Sequence, residues 1–413
     1  MSNADAWEGE EKPAFKSNHQ ALRFIGGNLV SFFGDQIYLI AFPLMVLALT
    51  GSPLSMGIVA AIERVPVLLQ PLAGVLADRL NRKRILLFCD FFRFLLLGSI
   101  GVLFLFEIIT IYVLYAAAFV IGVLGQLYQT SQFASIPKLV REQDLDLVNA
   151  WNTGVFHTAV FLAPGLGGWI VTLYNPGVGM IINSFSFFIG FLVVWSLRVE
   201  SERMQGEKRS FIHDVSEGFR FVIHQKPLLY TNIAMFFSVF GTTLFLTMLI
   251  VHLKAEIGFS AVSIGWLLSI GGLGAIGGAL ISPVLRSRVT YRTLLFGCGA
   301  VGGLSILLFS FYHTFVALAL LNAVGTICAS ISSPCIVTLR QKLTPEYLLA
   351  RVQATSRFMT WALMPLGALV AGIIGEYIST SMTIAVGGTV SIIASFIYLH
   401  PSLKNVDTEE GAL

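Results

Sequence analysis

Five ionisable residues lie in stretches otherwise too apolar to hold charge: Asp35, Glu63, Arg64, Asp90 and Arg93. A carboxylate in hydrocarbon costs several kcal/mol unless it faces water, finds a partner or takes up a proton. The chemistry open to Asp35 is therefore reversible protonation. Asn28, Ser31, Asp35 and Tyr38 follow one another at spacings of 3, 4 and 3, which places all four on one helical face. Such a polar stripe belongs beside a water-filled cavity, with Asp35 as the proton-binding group. Glu63 suits ion coupling or packing equally well. Asp90 and Arg93, one turn apart, can share a face, and Asp90 reads as structural.

The elements that must position these groups are membrane helices. Hydrophobic residues make up 55% of the 413-residue chain and charged residues 12%, and the mean hydropathy is +0.79, which excludes a soluble domain. A spanning helix needs about 20 apolar residues. Twelve candidates begin near residues 22, 56, 85, 110, 146, 177, 228, 260, 293, 314, 351 and 379. The expected fold class is an all-α integral membrane protein of twelve transmembrane helices. With a cytoplasmic N-terminus, 23 of the 26 Lys and Arg residues fall on the cytoplasmic side, the exceptions being Arg64, Arg93 and Lys254. The positive-inside rule then puts both termini in the cytoplasm of a multi-pass cell-membrane protein. The net charge of +3 is scattered over short loops, which predicts no nucleic-acid partner.

The longest polar interval divides the chain in two. Expected limits are a cytoplasmic tail over 1–20, a six-helix bundle over 21–198, a linker over 199–226, a second bundle over 227–399 and a tail over 400–413. In the linker, Phe211, Ile212, Val215, Phe219 and Val222 share one helical face, the pattern of an amphipathic surface helix. The halves echo each other at a spacing near 204, with Gly74 set against Gly278 and Asn149 against Gln353. Basic loops recur at equivalent places, Arg286, Arg288 and Arg292 after span eight and Arg340 and Lys342 after span ten. Two related halves with a site at their interface are the architecture of alternating access.

Further polar stripes suit a substrate cavity or hydrogen bonds between packed helices. They comprise Gln126 and Gln129 in span four, Asn149, Thr153 and His157 in span five, Asn322, Thr326 and Ser330 in span ten, and Gln353, Ser356, Arg357 and Thr360 in span eleven. Phe32, Tyr38, Trp361 and Met364 are candidates for apolar cavity walls. None of the four cysteines has the spacing of a metal site, and no G-x-x-x-x-G-K-S/T sequence supports ATP hydrolysis, so no cofactor is expected.

The segment GVLADRLNRKR, Gly74 to Arg84, places five charges between two apolar runs. It resembles the loop between helices 2 and 3 of the major facilitator superfamily, G-x-L-A-D-R-x-G-R-K/R, with Asn81 in place of the family glycine. The resemblance implies two pseudo-symmetric six-helix bundles. It also implies that Gly74, Asp78, Arg79 and Arg82, near Asp90 and Arg93, act as a conformational latch and not as substrate ligands. In span five, Ala159 to Gly168 resembles the antiporter signature G-x-x-x-G-P-x-x-G-G, keeping Pro164, Gly167 and Gly168 but carrying Ala159 and Ala163 for the leading glycines. Span four lacks the arginine often found in drug and proton antiporters. Gly34 to Ser52, Ile136 to Val140 and Glu217 to Leu229 are similar to the macrolide-efflux and enterobactin-exporter subgroup. That similarity implies export of an amphiphilic drug, siderophore or lipophilic metabolite in exchange for protons. The expected state is a monomer surrounded by membrane lipid. A lysophospholipid or metabolite carrier of the same fold and a membrane receptor are the alternatives. No residue set supports an enzyme.

Overall fold

A computed structural model describes residues 17–69, 81–141, 144–197, 211–345 and 348–404. Among these the chain is helical, with no strand. The first half holds α1 (His19–Thr50), α2 (Pro53–Arg64), α3 (Arg82–Leu105), α4 (Ile111–Leu139), α5 (Leu145–Leu173) and α6 (Pro176–Ser196). After α7 (Phe211–His224) come α8 (Lys226–Val251), α9 (Ala261–Arg286), α10 (Tyr291–Phe309), α11 (Phe315–Leu343), α12 (Leu349–Trp361), α13 (Met364–Tyr377) and α14 (Thr380–Ser395). Eleven spans are long and apolar enough to cross a bilayer, one of them formed by α12 and α13 together. The remaining candidate is α2, only 12 residues long before it tightens into a 3-10 turn over Val65–Leu69. Pro66 accounts for that stop, because it lacks the N–H that would continue the helical hydrogen-bond ladder.

Local sequence sets most helix starts. Ser52, Asn175, Ser260, Thr290 and Ser379 each accept a hydrogen bond from the backbone N–H three residues on, with Pro53 and Pro176 in the first turn of their helices. Gly51 closes α1 at φ 61°, in the left-handed region, and its N–H reaches Leu47 O at 2.8 Å. Span eleven is broken into α12 and α13, with Pro365 in the first turn of the second piece.

The packing repeats between halves. α3 lies on α6 as α10 lies on α14, and α1 lies on α6 as α8 lies on α14. The two bundles meet through α5 on α9 and α2 on α13. α7 packs on α12: Val222 is fully buried with Val352, Phe219 meets Phe358 edge-on, and Arg351 pairs with Glu217. The side chains of Phe211, Ile212 and Val215 lie outside the described residues. Past α14 the chain stays packed, and Leu403 is buried with Tyr291 and Leu339.

One sequence expectation is overturned. Arg340 and Lys342 do not follow span ten in a loop; α11 continues through both to Leu343, and Arg340 is 5% exposed. The surrounding residues, LRQKL, are good helix formers, so nothing stops the helix before Thr344.

Candidate functional site

In the first bundle the α1 stripe is the hub of a polar network. Asn28 Nδ2 donates to Asn152 Oδ1 of α5 at 2.9 Å, and Tyr38 Oη donates to Glu63 Oε1 of α2 at 3.2 Å. Ser31 and Asp90 both border Gly190 of α6, where an added Cβ would stand 3.0 and 3.3 Å from their oxygens. The stripe therefore reaches three neighbouring helices. Asp35 lies half-buried between its stripe partners, within electrostatic range of Arg93 and Glu63. Arg64 turns back along its own helix and donates to Ala60 O at 3.1 Å.

Asp90 and Arg93 share α3 without pairing. Both Asp90 oxygens are buried without a hydrogen-bond partner, and the Arg93 guanidinium instead stands 5.1 Å from the Tyr128 ring and 4.9 Å from that of Phe187. Cation–π contact with two rings offsets part of its desolvation. The spacing of three residues made an ion pair available, and the aromatic neighbours supplied by α4 and α6 took the guanidinium.

Of the other expected cavity residues, Gln126 has a buried Oε1 and His157 a buried Nδ1, each without a partner, while Gln129 is exposed. Asn322 Nδ2 donates to Leu267 O at 3.1 Å and Thr326 Oγ1 to Gly271 O at 2.7 Å, so both tie α11 to α9. Arg357 stacks on Trp361, 4.8 Å from the ring centroid. Asn322, Thr326 and Arg357 line a cavity of about 650 Å³ between α8, α10, α11 and α12. Asn28, Ser31, Tyr38, Gln126, Gln129 and His157 belong to α1, α4 and α5 and do not line it. Gly74, Asp78 and Arg79 lie outside the described residues; Arg82 opens α3, capped by Asn81.

The bundles close on each other at the end where α1 finishes and α2 begins. A Cβ on Gly57 would stand 2.5 Å from Gly372 Cα, and one on Gly372 would stand 2.8 Å from Gly57 Cα, so these backbones touch. Glu376 clasps the same contact from α13, accepting from Ser52 Oγ at 2.7 Å and Leu54 N at 3.1 Å. Its carboxylate caps the N-terminus of a helix in the other bundle, where the helix dipole favours negative charge. On the opposite flank, the glycines of the antiporter-like segment divide their work. Gly167 packs on Ile37 of α1 and Gly168 on the backbone of Ala261 at the start of α9, while Ala163 is fully buried. Pro164 leaves α5 unbroken, and the Gly165 N–H goes to Ser269 Oγ of α9 at 3.0 Å. Sequence reasoning missed Glu376 and Asn152 and placed Arg340 in a basic loop. The lack of any carboxylate between Glu256 and Glu346 is a sequence signal for a cation without an acid partner.

The profile of the Major Facilitator Superfamily matches residues 24–364 and, a second time, 231–412. An uncharacterised MFS-type transporter of Bacillus subtilis, YfiS, is 23% identical over 94% of both chains. The multidrug efflux pump Tap of Mycolicibacterium fortuitum is 26% identical over 82% of this chain and 85% of its own. In fold, the nucleoside transporter NupG superposes with a TM-score of 0.75 at 15% identity, covering 92% of this chain and 99% of its own. A bacterial homologue of the iron transporter ferroportin gives 0.74 at 14% identity, covering 93% and 98%. Paired bundles, glycine-tight contacts between them and a full-length family match lead to one conclusion: this chain belongs to the Major Facilitator Superfamily and is a secondary transporter, a carrier and not an enzyme.

Proposed function

We propose that the chain exports an amphiphilic small molecule in exchange for protons, with Asp35 as the coupling carboxylate and Glu63 as its second acid. The observation that carries this reading is the α1 network. Asp35 sits within reach of Arg93 and of the Tyr38–Glu63 hydrogen bond, so a proton arriving there changes the charge balance of helices α1, α2 and α3 together. In a low-dielectric bundle such a change is worth several kcal/mol, enough to bias two conformations. The similarity to the Tap efflux pump supports export of drug-like cargo, and the macrolide-efflux and enterobactin-exporter resemblance narrows it to amphiphiles.

In this reading both termini are cytoplasmic, residues 21–198 and 227–399 are the moving bundles, 199–226 is their linker, and the protein works as a monomer in the cell membrane. The closed end then faces outward. The Gly74–Arg84 segment acts as the latch of the opposite end, with Asp78, Arg79 and Arg82 exchanging partners as that end closes and Asp90 and Arg93 behind them.

The test is proton flux in everted vesicles containing wild type or Asp35→Asn, with macrolides, siderophores, lipophilic cations and lysophospholipids added in turn. Substrate-evoked proton movement that is lost in Asp35→Asn is the expected result. Equal movement in both proteins would remove Asp35 from the coupling, and a response to none of the compounds would reject proton exchange with cargo of this kind.

A further inference from the structure

The two bundles differ in the charged residues inside their spans. The first holds Asp35, Glu63 and Asp90 against Arg64 and Arg93. From Lys226 to Lys404 the carboxylates are Glu256, Glu346 and Glu376, with no aspartate. Glu256 is engaged by His252, Thr380 and Ser381, and Glu376 by the α2 N-terminus. Glu346 lies outside the described residues. Arg340 and Arg357 nonetheless project from α11 and α12 onto the same cavity, and among the described residues neither has a carboxylate within ion-pair distance.

Arg340 is held by neutral groups. Its Nη1 donates to Gln353 Oε1 at 2.7 Å and its Nη2 to Asn232 Oδ1 at 3.5 Å, while Asn232 Nδ2 donates to Ser356 Oγ at 3.0 Å. Arg357 touches Trp361 with its π face and makes no side-chain hydrogen bond to the described residues. A guanidinium carries five N–H donors in a planar fork matched to carboxylate and phosphate. Two cations within range of each other, one buried and one with its donors open to the cavity, form an incomplete charge arrangement that an anion would complete.

The cavity's shape adds the rest of the ligand. Asn322 and Arg340 are 18 positions apart on α11, which is about 27 Å along the helix. The arginines lie toward one end, and Phe245, Phe309 and Leu321 line the other. A volume of about 650 Å³ is that of a drug-sized ligand site. We infer that this cavity of the second bundle binds an amphiphile with one anionic group, a carboxylate or phosphate, its head on Arg357 with Arg340 behind it and its apolar body toward Phe245 and Phe309. This rests on the export reading and gives the cargo its charge; the same anionic head is offered by free amphiphiles and by acidic lipids of the bilayer.

The test is equilibrium binding by titration calorimetry to the full chain in phosphatidylcholine nanodiscs. The probes are octyl phosphate, octanoate and octyltrimethylammonium, with wild type, Arg357→Gln, Arg357→Lys and Arg340→Gln compared. Octyl phosphate and octanoate should bind, and octyltrimethylammonium should show no saturable site. Arg357→Gln should weaken the anions about ten- to hundredfold, the usual worth of a hydrogen bond to a charged group. Arg357→Lys should recover part of the loss, which separates lost recognition from misfolding should Arg340→Gln fail to fold. Repeating the titration in phosphatidylglycerol nanodiscs identifies the source: apparent competition marks a lipid headgroup as occupant, and unchanged affinity marks a free amphiphile. Equal binding of cation and anion, or full anion affinity in a folded Arg357→Gln, would overturn the inference. Binding needs no proton gradient, so that failure would leave proton-coupled export standing, and an absence of substrate-evoked proton movement in wild-type vesicles would leave this site standing.

Discussion

Gly57→Ala probes the closed end with a single methyl group. In the structure that Cβ would stand 2.5 Å from Gly372 Cα and 2.8 Å from Ala368 O, against an ordinary carbon contact of about 3.5–4.0 Å. α2 and α13 would have to separate by about 1 Å. Their backbones are the contact surfaces, so no side chain can rotate away. Overpacking of this kind costs about 1–3 kcal/mol. The penalty exists only where the bundles meet at this end, so it shifts the conformational equilibrium about 5- to 150-fold toward the arrangement open there. Spin labels at Leu49 on α1 and Tyr377 on α13, both exposed near the closed end, report the separation by double electron–electron resonance in nanodiscs. Gly57→Ala should add or enlarge a long-distance population that wild type shows weakly. Gly277→Ala is the control, because a Cβ there meets nothing within 4 Å. Identical distance distributions for Gly57→Ala and wild type would refute the claim that backbone contact at Gly57 holds this end shut.

Three further outcomes are expected. Glu376→Gln keeps the shape of the clasp and removes its charge from the α2 N-terminus, so the same labels should report a shift in the same direction worth about 0.3–1 kcal/mol; no shift would make the clasp incidental. A double-mutant cycle of Asn28→Ala and Asn152→Ala, read by thermal unfolding in detergent, should give a coupling of about 0.6 kcal/mol and no more than about 1.7, the range of hydrogen bonds between membrane helices; strict additivity would show the bond is not made. Asp78→Asn should slow transport while leaving equilibrium substrate binding intact, and a normal transport rate would count against the latch.

Much of the architecture is legible in the chain because it follows from local rules. Spans are long runs of apolar residues, and several starts carry a Ser, Thr or Asn cap, so that expected starts near 177, 260 and 379 fall beside Pro176, Ala261 and Thr380. The 3-4-3 stripe on α1 was readable for the same reason, since helical periodicity alone puts Asn28, Ser31, Asp35 and Tyr38 on one face. Which helix answers each of them was not. Asn152 and Glu63 are 124 and 25 residues from their partners, and no local pattern encodes those meetings.

Sequence by itself therefore determined that the chain is a multi-pass membrane protein with two related halves and costly carboxylates in the first, because bilayer hydrocarbon penalises charge wherever it stands. Only tertiary structure decided that Asp90 and Arg93 stay apart, that Gly57 and Gly372 bring two backbones into contact, and that Arg340 turns into a cavity beside Arg357. Those outcomes depend on which distant side chains and backbones compete for each group, and that competition exists only once the helices have packed.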